Sequence, residues 1–158
     1  MKTLKDIKKK RIISLFMALA LMIVGMPCAS ASAAGRETLP SGIYEIGSFT
    51  FQNTNLSPVK TVSGTKLGLG ISFKKASTDK GIGNVKLTVQ IRDANTGAVL
   101  VQKTEVANEG GNKMLTIAPI DLGYAGRKIK IWYDASSTGA SNGNFRSITC
   151  NSVKSCVM

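Results

Sequence analysis

The chain has 158 residues, with 21 lysines and arginines against 9 aspartates and glutamates, and its net charge at pH 7 is +12. It contains no histidine, which excludes histidine-dependent catalytic triads and removes the commonest metal ligand. Three cysteines and scattered carboxylates do not form a recognisable zinc or catalytic motif, so we expect no enzyme, no metal and no cofactor. A glycosidase would have to depend on a facing carboxylate pair such as Glu45 and Asp134.

Residues 1–33 have the three-part layout of a secretory signal peptide. Basic residues precede an apolar run of 15 residues, Ile12–Met26, and small residues follow at 29–33. A membrane span needs roughly 20 apolar residues, so we expect cleavage after Ala31 or Ala33 rather than a retained anchor helix. The long basic start resembles Gram-positive bacterial export signals, which implies a bacterial protein that is secreted to the extracellular space.

Removal of this segment leaves residues 34–158 as a basic chain. The removed part holds six basic residues and one acid, so 15 basic and 8 acidic residues remain, a net charge of +7. Cys28 follows Met26 and Pro27, a poor match to a lipoprotein signal, so we expect it to leave with the signal peptide. A chain of about 125 residues can bury enough surface for one core. We therefore expect a single domain without a transmembrane span.

Apolar and polar residues alternate along most of this domain, as they do in strands with one buried face. The predicted strands are Ile43–Phe51, Pro58–Val62, 66–74, 84–93, Ala98–Val106, Lys113–Ile120, Arg127–Asp134 and Asn144–Thr149. Segments rich in Gly, Asn and Asp separate them, and Gly97 is expected in the left-handed conformation of a hairpin loop. Seven or eight short strands predict an all-β fold, an antiparallel β-sandwich, with a small barrel as the alternative.

The strand at 66–74 has an unusual bare face. Its apolar face is formed by Leu67, Leu69, Ile71 and Phe73, whereas the other face contains Gly68 and Gly70. Glycines inside a strand cost stability and need a structural reason. A strand bent at a sheet corner is the favoured interpretation, and a face that accepts another chain or a ligand is the alternative.

The strand at 127–134 contains the only tryptophan of the chain. Strict alternation places Ile129, Ile131 and Tyr133 towards the core, and Lys128, Lys130, Trp132 and Asp134 outward. In one interpretation, lysine stems or the C-terminal tail cover the indole. In the other, the indole and its charged neighbours form a ligand-binding platform for a sugar or for an anionic membrane surface.

Cys150 and Cys156 remain after signal removal, and an oxidising exterior favours a disulfide between them. One extended strand would hold them about 20 Å apart, whereas a disulfide needs Cα atoms within about 7 Å. The segment between them is therefore expected to turn back on itself and tie down the C-terminus. Free thiols and pairing between chains are the alternatives.

These features predict a secreted, non-catalytic cationic β-sandwich module that binds an envelope or extracellular polysaccharide or another anionic surface. A secreted antimicrobial or membrane-damaging protein is the first alternative, and an extracellular structural or matrix subunit is the second. A single tryptophan among the basic residues is too little aromatic surface to predict a specific nucleic-acid partner. The oligomeric state is left open.

Overall fold

The computed structural model describes residues 37–137 and 146–158, and every regular element within these two ranges is a β-strand. The strands are β1 (Thr38–Leu39), β2 (Gly42–Gln52), β3 (Thr54–Leu56), β4 (Lys60–Val62), β5 (Lys66–Lys75), β6 (Val85–Asp93), β7 (Val99–Ala107), β8 (Lys113–Asp121), β9 (Lys128–Ser137) and β10 (Ser147–Val157). The predicted signal peptide lies outside the described residues, as does the loop 138–145.

The strands form two sheets. A six-stranded sheet has the order β1-β4-β9-β6-β7, with β3 paired to β9 beside β4, and a four-stranded sheet has the order β2-β10-β5-β8. All pairings are antiparallel except the short parallel contact between β1 and β4. The predicted all-β sandwich is therefore confirmed.

The core lies between the two sheets and follows the predicted alternation. Seven inward residues of β6 and β9 are at most 1% exposed: Val85, Leu87, Val89, Ile91, Ile129, Ile131 and Tyr133. The ring of Tyr133 meets that of Phe49, from the other sheet, edge to face at 5.1 Å, a geometry that aromatic pairs prefer. Burial raises the pKa of the Tyr133 hydroxyl. Tyr133 is thus a core residue, as predicted.

Two short strands, β1 and β3, were not predicted. The chain leaves the four-stranded sheet after β2 and joins the six-stranded sheet at β3, and Asn53 between them has a φ of 61°. Asparagine tolerates this left-handed conformation better than most residues, which permits the abrupt change of direction. The predicted strand at Pro58–Val62 is shortened to β4, and proline, which lacks a backbone N–H, remains outside it.

The prediction of a Cys150–Cys156 disulfide is wrong. Both cysteines lie on β10, which continues to Val157 instead of ending at Thr149, and both are free thiols. A bulge between Cys150 and Val153 shifts the alternation by one residue, so Cys150 faces the core and Cys156 faces outward. Pairing with β2 and β5 keeps the segment extended, which holds the thiols too far apart to join. Burial raises the pKa of the Cys150 thiol to about 12.

Gly68 and Gly70 do not mark a corner between sheets, because β5 stays between β10 and β8 along its length. A Cβ at position 68 would lie 3.0 Å from the carbonyl oxygen of Ile117 and 3.2 Å from Pro119. Gly68 therefore allows the bulged part of β8 to approach closely, whereas a Cβ at position 70 would have open space around it.

A buried ion pair ties the loop after β5 to the start of β10. The Arg146 Nε donates to Asp79 Oδ2 at 3.1 Å, and their side chains are 1% and 0% exposed. The rest of the guanidinium donates to the carbonyl oxygens of Ile82, Gly83 and Asn84. This arrangement holds the loop 77–84 firmly while Ile82 at its tip is 87% exposed.

Candidate binding face

The structure places all four predicted ligand-binding residues on the outward face of β9. Lys128 is exposed, whereas Lys130, Trp132 and Asp134 are half-buried. The C-terminal tail does not cover the indole, because β10 belongs to the other sheet. Whether these four side chains bind a ligand stays a prediction.

Trp132 lies in the interior of its sheet, because β9 has neighbours on both sides. Its register partners are Leu56 of β3 and Gln90 of β6, and Lys130 is paired with Arg92 of β6. The guanidinium carbon of Arg92 lies 4.9 Å from the centre of the indole ring, within cation–π range. An arginine from the adjacent strand therefore stacks on the tryptophan.

Side-chain hydrogen bonds within β6 and between β6 and β7 fix the polar side chains beside the indole. The Arg92 Nε donates to Gln90 Oε1 at 2.7 Å, and the Gln90 amide donates in turn to Gln102 of β7. The hydroxyls of Thr88 and Thr104 are hydrogen-bonded at 2.9 Å one row further along. We call the surface formed by five of these outward side chains the binding face. They are Gln90, Arg92, Lys130, Trp132 and Asp134.

This outward surface is predominantly cationic. Along β6 and β9, the outward positions include four cations and one carboxylate, namely Lys86, Arg92, Lys128, Lys130 and Asp134. Like charges on neighbouring strands repel each other, and an anionic ligand would relieve that repulsion. Arginine presents a planar fork of donors that matches a carboxylate or sulfate, which lysine cannot do.

A groove of about 480 Å³ adjoins the binding face at the end of β9 where Lys128 lies. Its lining residues are Glu37, Pro58, Val59, Thr61, Ala94, Asn95 and Lys128, and it is named the Lys128 groove below. Lys128 is paired with Thr61 of β4, and its carbonyl oxygen accepts the Ala94 N–H at 3.0 Å. The segment 58–61 and the turn after β6 therefore both lie beside Lys128 in the groove.

Asp93 holds the hairpin that forms one of these walls. Its Oδ1 accepts the N–H groups of Asn95 and Thr96 at 2.9 Å, and its Oδ2 accepts the Arg127 Nε at 3.0 Å. The Thr96 N–H, followed by the Arg127 guanidinium, lowers the pKa of Asp93 to about 2. The loop ends at Gly97 with a φ of 73°, the left-handed conformation that the sequence predicts.

A second cavity, beside the buried Lys60, is too small for a ligand. It holds about 10 Å³ and is lined in part by Phe49, Ser57 and Tyr133, which leaves room for one water molecule at most. Lys60 is 1% exposed, and burial lowers the pKa of its ammonium while the Glu37 carboxylate opposes that shift. The residue lies at the edge of the core and is not accessible to a substrate.

Within residues 37–137 and 146–158, no group of three or more cysteine, aspartate or glutamate side chains is arranged to hold a metal ion. In the same ranges, no helix has the length and apolar character to cross a membrane.

Sequence reasoning missed Arg92, Gln90 and the Lys128 groove as parts of the candidate site. Alternation along β6 does predict that Arg92 and Gln90 point outward, so a signal was present. Alternation does not predict that β6 pairs with β9, and this pairing is what places Gln90 opposite Trp132.

No protein-family model matches the sequence, and the curated proteins include no significant relative. Solved structures show a distant likeness. One of infectious bursal disease virus has 16% identity and a TM-score of 0.42 over 72% of this chain and 30% of its own. The insecticidal delta-endotoxin Cry8Ea1 of Bacillus thuringiensis has 9% identity and a TM-score of 0.44 over 70% and 19%.

A third similar structure is that of the CBM22-1 and GH10 modules of Clostridium thermocellum xylanase 10B complexed with xylohexaose. It has 13% identity and a TM-score of 0.40 over 74% of this chain and 26% of its own. The present chain thus spans less than a third of the length of these three proteins. Identities this low and TM-scores below 0.5 assign neither a ligand nor an activity.

Proposed function

We propose that the protein is a non-catalytic module that binds an acidic polysaccharide through the binding face. The observation that carries this proposal is the stacking of Arg92 on Trp132 at 4.9 Å, beside Lys130 on the same outward surface. The indole holds the guanidinium in place, so little side-chain freedom is lost when a carboxylate pairs with it. In this proposal the half-buried indole also presents part of its apolar surface to a sugar.

The neighbouring groups suit the hydroxyls of a carbohydrate. Gln90 and Gln102 form a fixed amide pair, and Thr88 and Thr104 form a fixed hydroxyl pair. Such prearranged donors and acceptors cost little to order when a ligand binds. In this proposal the protein acts outside the cell, as the signal-like residues 1–33 predict, and its ligand is a component of an envelope or of the extracellular matrix.

Fluorescence of the single tryptophan tests the proposal in a titration with hyaluronan, with polygalacturonate and with neutral dextran of similar length. We expect the acidic polymers to change the emission and dextran to leave it unchanged. Binding should weaken as salt is added, because exposed charges are screened. Failure of both acidic polymers to bind at low salt would contradict the proposal.

Variants measured by calorimetry show whether the binding face is responsible. Trp132→Ala should reduce affinity by about fivefold or more, since truncating a tryptophan in a binding centre usually costs over about 1 kcal/mol. Trp132→Phe should retain more of the affinity. Lys130→Gln should weaken binding severalfold, and Lys74→Gln, the same change on the four-stranded sheet, should not. Leakage of anionic vesicles without polysaccharide binding would instead favour the membrane-damaging alternative.

A further inference from the structure

We propose that the Lys128 groove and the binding face form one continuous site for a polysaccharide in which acidic sugars alternate with neutral, N-acylated ones. This inference rests on the proposed function and specifies its ligand. It follows from three features of the outward surface of β9: the continuity of the groove with the face, the order of charges along the strand, and the chemistry of the groove lining.

The continuity comes from Lys128. It lines the groove and also occupies the same outward face of β9 as Lys130 and Trp132. Successive outward residues of a strand are about 7 Å apart, so Lys128 and Trp132 are separated by roughly 13 Å. A linear polymer lying along β9 would pass from the groove over the Lys130–Arg92 pair to the indole.

The net charge changes along this path. In the groove, Glu37 and Lys128 offset each other. The next row holds two cations, Lys130 and Arg92, and beyond the indole lies the carboxylate of Asp134. The row with the highest positive charge therefore lies between two stretches that each contain a carboxylate. A polymer with an acid on every sugar would place negative charges near Glu37 and Asp134, whereas an alternating polymer with one acid on the cations would bring half as many acids to the same path.

The groove lining suits a neutral, N-acylated sugar. Thr61 and Asn95 offer donors and acceptors for hydroxyl and amide groups. Pro58 and Val59 provide an apolar wall, and Val59 is 39% exposed. An acyl methyl group that packs on this wall would lose contact with water, which favours binding.

Calorimetric titration with two hexasaccharides of equal length tests the inference. Hyaluronan alternates glucuronate with N-acetylglucosamine, and polygalacturonate has a carboxylate on every sugar. We expect the wild-type protein to bind the hyaluronan hexasaccharide about tenfold more tightly than the polygalacturonate hexasaccharide, although the hyaluronan fragment carries half as many charges. Glu37→Gln should raise the affinity for polygalacturonate threefold or more without improving that for hyaluronan. Glu45→Gln, the matched change on the four-stranded sheet, should alter neither.

Fragment length tests the continuity of the site. Lys128→Gln should weaken binding of the hexasaccharide severalfold and leave that of a disaccharide unchanged. The inference is overturned if polygalacturonate binds as tightly as hyaluronan, or if Glu37→Gln affects both polymers equally, while Trp132→Ala still weakens the binding of both. In that case the proposed function stands. If neither hexasaccharide binds at low salt, the proposed function and this inference both fail.

Discussion

Trp132 shows how one side chain depends on a neighbour that is distant in sequence. On its own strand it is bordered by two lysines and an aspartate, yet its stacking partner is Arg92, 40 positions earlier. Arginine loses less hydration than lysine when it stacks on an aromatic ring, so this pair is more favourable than the lysine contact expected from the local pattern. The consequence is a guanidinium held on the surface in a defined position.

In the interior, Arg146 also depends on a partner that is distant in sequence, Asp79, and its replacement should lower the stability of the protein. Arg146→Met leaves the buried Asp79 carboxylate unpaired, which typically costs about 3–5 kcal/mol of folding free energy. Adding Asp79→Asn to that variant should recover part of the loss, because no buried charge then remains. Urea unfolding of the two single variants and the double variant measures the coupling between these residues. A loss below about 1 kcal/mol for Arg146→Met would show that the ion pair does not hold the loop 77–84.

At the scale of elements, the strands that alternate cleanly were predictable and their partners were not. Alternation along β6 and β9 predicts which side chains point inward, because a pleated strand has a strict period of two. The pattern fails on β10, where a bulge shifts the period and the preference for a disulfide predicted a turn instead of an extended strand. Backbone pairing on both sides of β10 outweighed that preference.

The hairpin from Asp93 to Ala98 should make the protein less stable at acidic pH. The folded protein holds the pKa of Asp93 at about 2, below the ordinary value of 3.8. The carboxylate therefore contributes stability above about pH 4, and this contribution is lost as the pH falls towards 2. Thermal unfolding between pH 2 and pH 6 measures the effect.

We expect Asp93→Asn to lower stability at pH 6 and to show a smaller further loss on acidification than the wild-type protein. Arg127→Gln removes the cation that pairs with Asp93, so it should also make the stability of the protein less dependent on pH in this range. Identical pH profiles for the wild-type protein and Asp93→Asn would contradict this account of the turn.

At the scale of the whole molecule, the sandwich and the outward position of the four β9 residues were predictable, and the assembled site was not. The spacing of strands and turns indicates the number of layers, but the order β4-β9-β6 joins segments that are far apart in sequence. The Lys128 groove needs residues from three further segments besides β9, around Glu37, Pro58 and Asn95. Local patterns do not contain this information, because long-range pairing depends on the packing of the entire core.

Backbone amide chemical shifts, recorded during titration of the protein with a hyaluronan hexasaccharide, most directly test whether the outward face of the six-stranded sheet binds the ligand. We expect the largest changes at residues 128–134 of β9, at 88–92 of β6 and at 94–97 beside the groove. Residues of β5 and β10 in the four-stranded sheet should change little. Shifts confined to the four-stranded sheet, or their absence at saturating ligand, would contradict the account.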